Sequence, residues 1–469
     1  MLATALAAAI LGVEARLVRV EADVAGGFPR FVMVGLPDSA VKESEARVRA
    51  ALRNCGFSFK WDRRITVNLA PASVRKSGSS FDLATAIGLL AADGALARPR
   101  FARALLAGEL ALDGTVRPVP GVLPMLLEAR RHGLAAAVVP EENHREAVLV
   151  PDLAVYPVHT LREAVELAGN EAPPPPPPPP SASAPPPIAA DLADVRGQPL
   201  ARRALEIAAA GGHNLLLVGP PGSGKTMLAR RLAGILPTLS PGEALEVAAI
   251  QSAAGRRVEP NSASRPFRSP HHTASEVALA GGGPIPRPGE VSLAHHGVLF
   301  LDELPEFRRH ALEVLRQPLE EGEITISRNR GTLCLPARFQ LVAAMNPCPC
   351  GHLGDRRRPC RCTLRQAAAY RGRISGPLLD RLDLHVAVAP LAWAEINAPP
   401  SEASSRVASR VAVSRWPTKF PPCTVNQMSP SRSQTRVWGS RAAESGIMIF
   451  SILPEWGSST PMCRARLPV

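Results

Sequence analysis

Aromatic residues make up only 4% of this 469-residue chain. Set beside heavy use of alanine, arginine and proline, that scarcity reflects a GC-rich coding sequence as much as any function. Long apolar runs are also lacking. None reaches the roughly 18 residues that a membrane-spanning helix needs, which excludes a bilayer-crossing segment. The N-terminal stretch from Met1 to Ile10 is apolar but short, has no basic segment before it, and gives way to charge between Gly12 and Arg19. It predicts a strand or helix of a first domain in preference to a secretory signal, and a cytoplasmic protein. Cysteine is sparse and uneven: four of the eight fall between Cys348 and Cys362, a local cluster and not a disulfide framework. Acidic residues are the minority charge, 41 against 54 Lys and Arg, for a net charge of +13. Such a balance invites a nucleic-acid partner. Residues 397–469 nevertheless carry nine of the basic and only three of the acidic residues, so six of the thirteen excess charges sit in that tail. What is present is ample apolar content, 46%, and enough length for two to four domains.

Proline punctuates the chain. Pro173 to Pro180 is unbroken proline and Pro185 to Pro187 follows, an extended spacer that fits neither helix nor sheet. It divides the sequence into residues 1–170, a linker at 171–190, residues 191–396, and a tail at 397–469. The first part mixes alternating strands (Arg16 to Val24, Ile65 to Leu69) with helical patterns (Ser39 to Leu52, Phe81 to Ala92), an α+β domain with its own core. The second part opens with a helix predicted from Pro199 to Ala210, its proline at a tolerated first-turn position. In the tail, periodicity fades among scattered Pro, Ser, Arg and Trp. Disorder and a damaged or frame-shifted coding sequence both account for it.

The most informative segment is Gly219, Pro220, Pro221, Gly222, Ser223, Gly224, Lys225 and Thr226, which reads G-x-x-x-x-G-K-[ST]. An apolar run, Asn214 to Val218, precedes it, and helical spacing follows from Met227 to Ala233. Strand, glycine loop and helix together aim backbone N–H groups and a helix N-terminus at a phosphate. Lys225 is then expected to reach the β- and γ-phosphates of ATP, and Thr226 to hold Mg²⁺. A second apolar strand, from Gly297, ends in Asp302 and Glu303. The first acid is placed for the magnesium shell and the second to deprotonate an attacking water. A third, Gln340 to Met345, ends in Asn346, a partner for the γ-phosphate or the lytic water. Arg381 lies in a short turn between Asp380 and Asp383. It reads either as a surface ion pair or, in an oligomer, as a cation for a neighbour's γ-phosphate.

Cys348, Cys350, Cys360 and Cys362 form two C-x-C pairs nine residues apart. Four close thiols suit tetrahedral zinc, with His352 as a substitute ligand; reduced thiols in a basic loop are the alternative. The pairs His271–His272 and His295–His296 read as structural, because no acid or cysteine pattern joins them. Residues Glu323 to Leu335 alternate around an Asn-Arg-Gly tip and predict a β-hairpin that presents Arg328 and Arg330.

These motifs resemble the AAA+ superfamily, in the branch that holds magnesium-chelatase ATPase subunits and MCM helicases. Phe267 to Thr273, Gly289 to Glu303, Asn346 to Gly351 and Ser375 to Arg381 are similar to the ComM/YifB magnesium-chelatase-like family, over about residues 5–396. The resemblance implies an α/β multidomain protein: a Lon-protease-like α+β domain, a P-loop AAA+ domain with a parallel sheet, and a C-terminal helical lid. Here the lid looks truncated or degraded, which makes an inactive remnant one outcome. It also implies a homo-hexameric ATPase that acts on branched or single-stranded DNA during natural transformation. Asp302 and Glu303 become the Walker B pair, Asn346 sensor 1 and Arg381 a finger acting in trans, while Val195 to Gln198 lie near the adenine. The hairpin arginines would point into the pore and meet phosphates. A chelatase-like or protein-remodelling subunit is the alternative. Ser80 falls where Lon carries its nucleophile, but Leu123 stands where Lon has its lysine base, which predicts no peptidase activity.

Overall fold

A computed structural model describes residues 1–96, 103–169, 175–178, 191–259, 263–283, 287–328, 331–355, 358–391, 395 and 397. The tail read as a damaged lid lies outside these residues, apart from position 397, and so does most of the proline linker. The chain packs as two compact units. One takes residues 1–189, 238–299 and 310–339, the other residues 190–237, 300–309 and the described residues from 340 on.

The first unit is built on a seven-stranded mixed sheet. Its order is Arg30–Val34, Arg64–Ala70, Glu14–Ala25, Leu2–Leu11, Ala104–Leu106, Ala136–Pro140, Ala154–Val158. The apolar N-terminus is therefore a strand, in antiparallel register with the next from Leu2↔Asp23 to Leu11↔Glu14. Alternation explains Glu14–Ala25, where Val18, Val20, Ala22 and Val24 are buried in turn. Helix Asp82–Ala92 is buried at all eleven positions, as expected of a helix apolar all round. Each of its large aliphatic side chains contributes about 1.5–3 kcal/mol by leaving water. Gly88 brings it close to the sheet, because a Cβ there would lie 3.5 Å from the Ala22 methyl. The amphipathic segment read as one helix from Ser39 runs as two, Ser39–Lys42 and Ser44–Asn54. The second sends Arg47 to the buried carboxylate of Asp82 at 2.6 Å.

Helix Val122–Arg131 packs with helix Pro241–Ala253, also in the first unit. Leu123, Leu126 and Met125 share a core with Ala248 and Val258. The Leu123 N–H donates to Ser252 Oγ at 3.2 Å and the Gly121 N–H to the Ser252 carbonyl at 2.9 Å. Hairpin Glu323–Arg328 with Gly331–Pro336 forms as the alternation predicts, in register from Glu323↔Pro336 to Arg328↔Gly331. Gln317 braces it through two hydrogen bonds to Thr325. Gly12 lies against it, since a Cβ there would come within 2.7 Å of the Leu333 side chain. Arg328 closes the hairpin through its backbone, and Arg330 lies outside the described residues.

In the second unit, strand Leu215–Val218 lies parallel to Gln340–Met345 on one side and to Leu384–Ala387 on the other. Gln340–Met345 also neighbours strand Val298–Leu301, whose last two residues belong to this unit. Leu215–Leu217 and every residue of Val298–Leu301 and Gln340–Met345 are buried, the continuous apolar pattern of a covered parallel sheet. Helices Pro199–Gly211 and Lys225–Ile235 pack together beside it. No described helix is long and apolar enough to cross a membrane.

Candidate nucleotide site

Three parallel strands deliver their C-terminal ends to one place, the position where ligands bind in open α/β sheets. Val218 leads into the glycine loop, Leu301 into Asp302, and Met345 into Asn346. Gly222 and Gly224 take left-handed backbone at φ 76° and 90°, the conformation that lets the loop fold back and open its N–H groups to a ligand. A Cβ at Gly219 would strike the Val388 carbonyl at 2.2 Å, whereas one at Gly222 would meet nothing within 4 Å. The loop is thus pressed on the sheet at its root and open at its apex.

Lys225, Thr226, Asp302 and Asn346 meet here. Lys225 is buried, and its Nζ donates to the carbonyls of Gly219 at 2.7 Å and Pro220 at 2.9 Å and to Asn346 Oδ1 at 3.2 Å. Burial pulls its pKa below the ordinary lysine value, and the nearby carboxylates of Asp302 and Glu303 oppose that shift. Thr226 Oγ1 donates to Asp302 Oδ2 at 2.7 Å, so the two oxygen ligands expected around magnesium are already adjacent. The Glu303 N–H donates to the other Asp302 oxygen at 2.9 Å. Glu303 itself adopts left-handed backbone, φ 53°, a conformation that costs an ordinary residue about 1–2 kcal/mol and recurs at functional positions. The buried Ser223 Oγ has no protein partner. An open glycine loop, a lysine beneath it, an orphaned hydroxyl and a threonine–aspartate oxygen pair fit Mg²⁺ and a nucleoside triphosphate.

Arg381 is held on its own turn, where Nη1 donates to the Pro377 carbonyl at 2.7 Å. Neighbouring Asp383 accepts from the Asn214 N–H at 2.8 Å and faces His213 at 3.5 Å. Val195 and Gln198, read as adenine neighbours, are buried, and Gln198 donates to the Ala389 carbonyl.

The four cysteines converge. Their sulfurs lie within 4.8 Å of one another, with Cys348 3.4 Å from Cys350 and 3.7 Å from Cys360, and Cys350 3.6 Å from Cys360. A tetrahedral site with metal–sulfur bonds of about 2.3 Å has edges near 3.8 Å, so this set fits a zinc-sized cation. His352, the substitute ligand, is turned to Asp355 at 3.2 Å. The cysteine loop also touches the phosphate loop: a Cβ at Gly351 would come within 2.6 Å of Pro221.

One reading of the sequence is corrected. An acid does join His295 and His296: Glu246 Oε2 lies 3.0 Å from His295 Nε2 and 2.8 Å from His296 Nε2. It stands about fifty residues upstream, too far for a local pattern to show. The trio is not a cation site. His295 Nδ1 accepts the Arg338 N–H at 3.0 Å, so the neutral ring carries its proton on Nε2 and has no lone pair there for a metal. His271 sits 2.9 Å from Thr273 Oγ1, a local contact as expected.

In the N-terminal module, Ser80 is buried and Leu123 is fully enclosed. Lys76 is also buried, its Nζ donating to the carbonyls of Gly35 and Pro71, and burial lowers its pKa.

Comparison with known proteins agrees with this geometry. The family profile described as magnesium chelatase, subunit ChlI, matches residues 191–396, and a second, subunit ChlI of Mg-chelatase, matches residues 20–143. The chain is 46% identical over 410 residues to the uncharacterized protein YifB of Escherichia coli, covering 87% of this chain and 80% of that protein. It is 47% identical over 385 residues to competence protein ComM of Haemophilus influenzae, covering 81% and 75%. A Lon protease of Erwinia amylovora is 30% identical over 132 residues, covering 27% of this chain and 17% of that protein.

Proposed function

Because the chain belongs to the family of magnesium-chelatase-like ATPases that includes YifB and ComM, we propose that it is an ATP-driven ring motor acting on DNA. The observation that carries the ATPase reading is the single cluster of Lys225, Thr226, Asp302 and Asn346. Lys225 binds the β- and γ-phosphates once its loop carbonyls release it, and the loop N–H groups orient them. Thr226 and Asp302 hold Mg²⁺, which when bound neutralises phosphate charge. Glu303 takes the proton of the attacking water, and Asn346 fixes that water or the γ-phosphate. Arg381 serves the site of the next copy in a homo-hexamer.

The DNA part rests on the hairpin and on the relative. The Haemophilus protein is named for competence, and branch migration or unwinding in natural transformation is the setting we assign. Arg328 and Arg330 make sequence-blind phosphate contacts. Forked DNA is expected to raise the ATPase rate of the full chain. The pair Arg328→Ala and Arg330→Ala is expected to keep the basal rate, lose the stimulation and lower the salt slope of DNA binding by about 2. Full stimulation in that variant would remove the hairpin from the mechanism. The chelatase description of the matching profile favours a second reading, an ATPase that remodels a protein partner. DNA-independent turnover distinguishes it.

We assign structural zinc to Cys348, Cys350, Cys360 and Cys362, with the metal bracing the loop that supports Asn346 and Pro221. Metal analysis of folded protein is expected to give about one zinc per chain, lost in a Cys348→Ser variant; folded protein free of metal contradicts it. The N-terminal module is read as a docking and stiffening element and not a peptidase. Leu123 is spent on packing against helix Pro241–Ala253, and Lys76 is committed to backbone carbonyls. Ser80-dependent cleavage of casein would contradict this.

A further inference from the structure

Helix Pro241–Ala253 has two occupied faces. Leu245, Ala248, Ala249 and Ser252 lie against the N-terminal module. Glu243 and Glu246 project from another face toward the segment that leads into the magnesium strand. The helix start is fixed by a capping box, in which Ser240 Oγ accepts the Glu243 N–H and Glu243 accepts the Ser240 N–H.

The segment these acids face is held tightly. His295 and His296 are buried, and both Nε2 atoms meet the one Glu246 oxygen. His296 takes left-handed backbone at φ 55°, its N–H donates to the Arg338 carbonyl at 2.6 Å, and its carbonyl accepts from Arg265 Nη1 at 2.8 Å. Arg265 is buried and also reaches Glu243 at 3.5 Å. At Gly297 a Cβ would strike the Pro266 carbonyl at 2.0 Å, so the backbone passes Pro266 in contact. Val298–Leu301 starts one residue later and ends at Asp302 and Glu303. Two buried imidazoles and a non-glycine left-handed residue directly before this strand need an anchor, and Glu246 supplies it from the helix. Burial pushes the His295 pKa down to about 4, so its ring is neutral and donates. The two imidazole hydrogen bonds hold the Glu246 carboxyl well below the usual carboxylate range, so it accepts as the anion.

We propose that Glu246 is a positioning residue for the ATP site: carried on a helix that the N-terminal module holds by another face, its carboxylate anchors His295 and His296 and thereby sets where the strand bearing Asp302 and Glu303 begins. The inference rests on the ATPase reading and goes beyond it, since Glu246 is not one of the residues that reading assigns to nucleotide or metal.

The test uses the full chain and three variants. Glu246→Gln keeps the size of the side chain but loses the anion that accepts from both rings. Its kcat for ATP is expected to fall about tenfold, the scale of one charge-assisted hydrogen bond, while the KM for ATP stays within about twofold. Amide exchange of the peptide covering residues 297–303 is expected to accelerate in the same variant. Glu246→Asp, which keeps the anion, recovers part of both. Ser240→Ala removes the cap of the same helix without touching the histidines, and is expected to lower the melting temperature and leave kcat unchanged. An unchanged kcat and unchanged exchange in Glu246→Gln overturn the inference, and so does an equal loss of kcat in Ser240→Ala. A parent chain that binds ATP but does not hydrolyse it overturns the ATPase reading and this inference together.

Discussion

Glu303→Gln is expected to lower ATP hydrolysis by about 10²–10⁴-fold while leaving ATP binding nearly intact, the loss typical of a general base. The expectation follows from the division of labour at the end of strand Val298–Leu301. Asp302 is engaged through one oxygen by the Thr226 hydroxyl and through the other by the Glu303 N–H. Glu303, the next acid, sits in left-handed backbone at φ 53°. Glutamine preserves that shape and removes only the capacity to take a proton. Asp302→Asn should fail differently, through weaker magnesium binding and a raised metal requirement. Equal turnover in Glu303→Gln and the parent, measured as phosphate release, would transfer the base to another residue.

Arg381→Ala is expected to reduce turnover by about 10³-fold or more, the range seen for arginines that reach a transferring phosphoryl group. The distinctive outcome is in mixtures. Lys225→Ala has a dead nucleotide site but an intact arginine, whereas Arg381→Ala has the reverse. If the arginine serves a neighbouring copy, mixing the two inactive variants restores part of the turnover. If it serves its own site, the mixture stays inactive. A half-exposed ion pair with Asp380 or Asp383 would give neither effect, since such pairs contribute only about 0–1 kcal/mol. In the structure Arg381 donates to the Pro377 carbonyl, and Asp383 accepts from the Asn214 N–H.

The nucleotide site was almost wholly legible in the sequence because its parts are local. A glycine loop after an apolar run, two acids at the end of another and an asparagine at the end of a third each announce themselves within ten residues. The parallel sheet then brings them together as a matter of topology. The cysteine cluster was legible for the same reason, with all four thiols inside fifteen residues. The Glu246–His295–His296 anchor was not. Its acid lies about fifty residues upstream, and nothing in the spacing of Pro241–Ala253 marks one glutamate over another. The grouping of residues 238–299 and 310–339 with the N-terminal module was equally hidden. It depends on apolar positions such as Ala248 and Val258, which look like ordinary core until their partners Leu123 and Leu126 are seen. Leu123 itself carried a clue: a leucine where the Lon resemblance expects a lysine is a position released from catalysis, and the fold uses it to dock a helix.

The central claim is that ATP turnover at Lys225, Asp302 and Glu303 drives work on DNA. The most direct measurement is the ATPase rate of the purified full chain with and without forked DNA. The account predicts clear Mg²⁺-dependent hydrolysis that forked DNA stimulates, abolished by Glu303→Gln. Hydrolysis indifferent to DNA, or none at all in protein that still binds ATP, would contradict it.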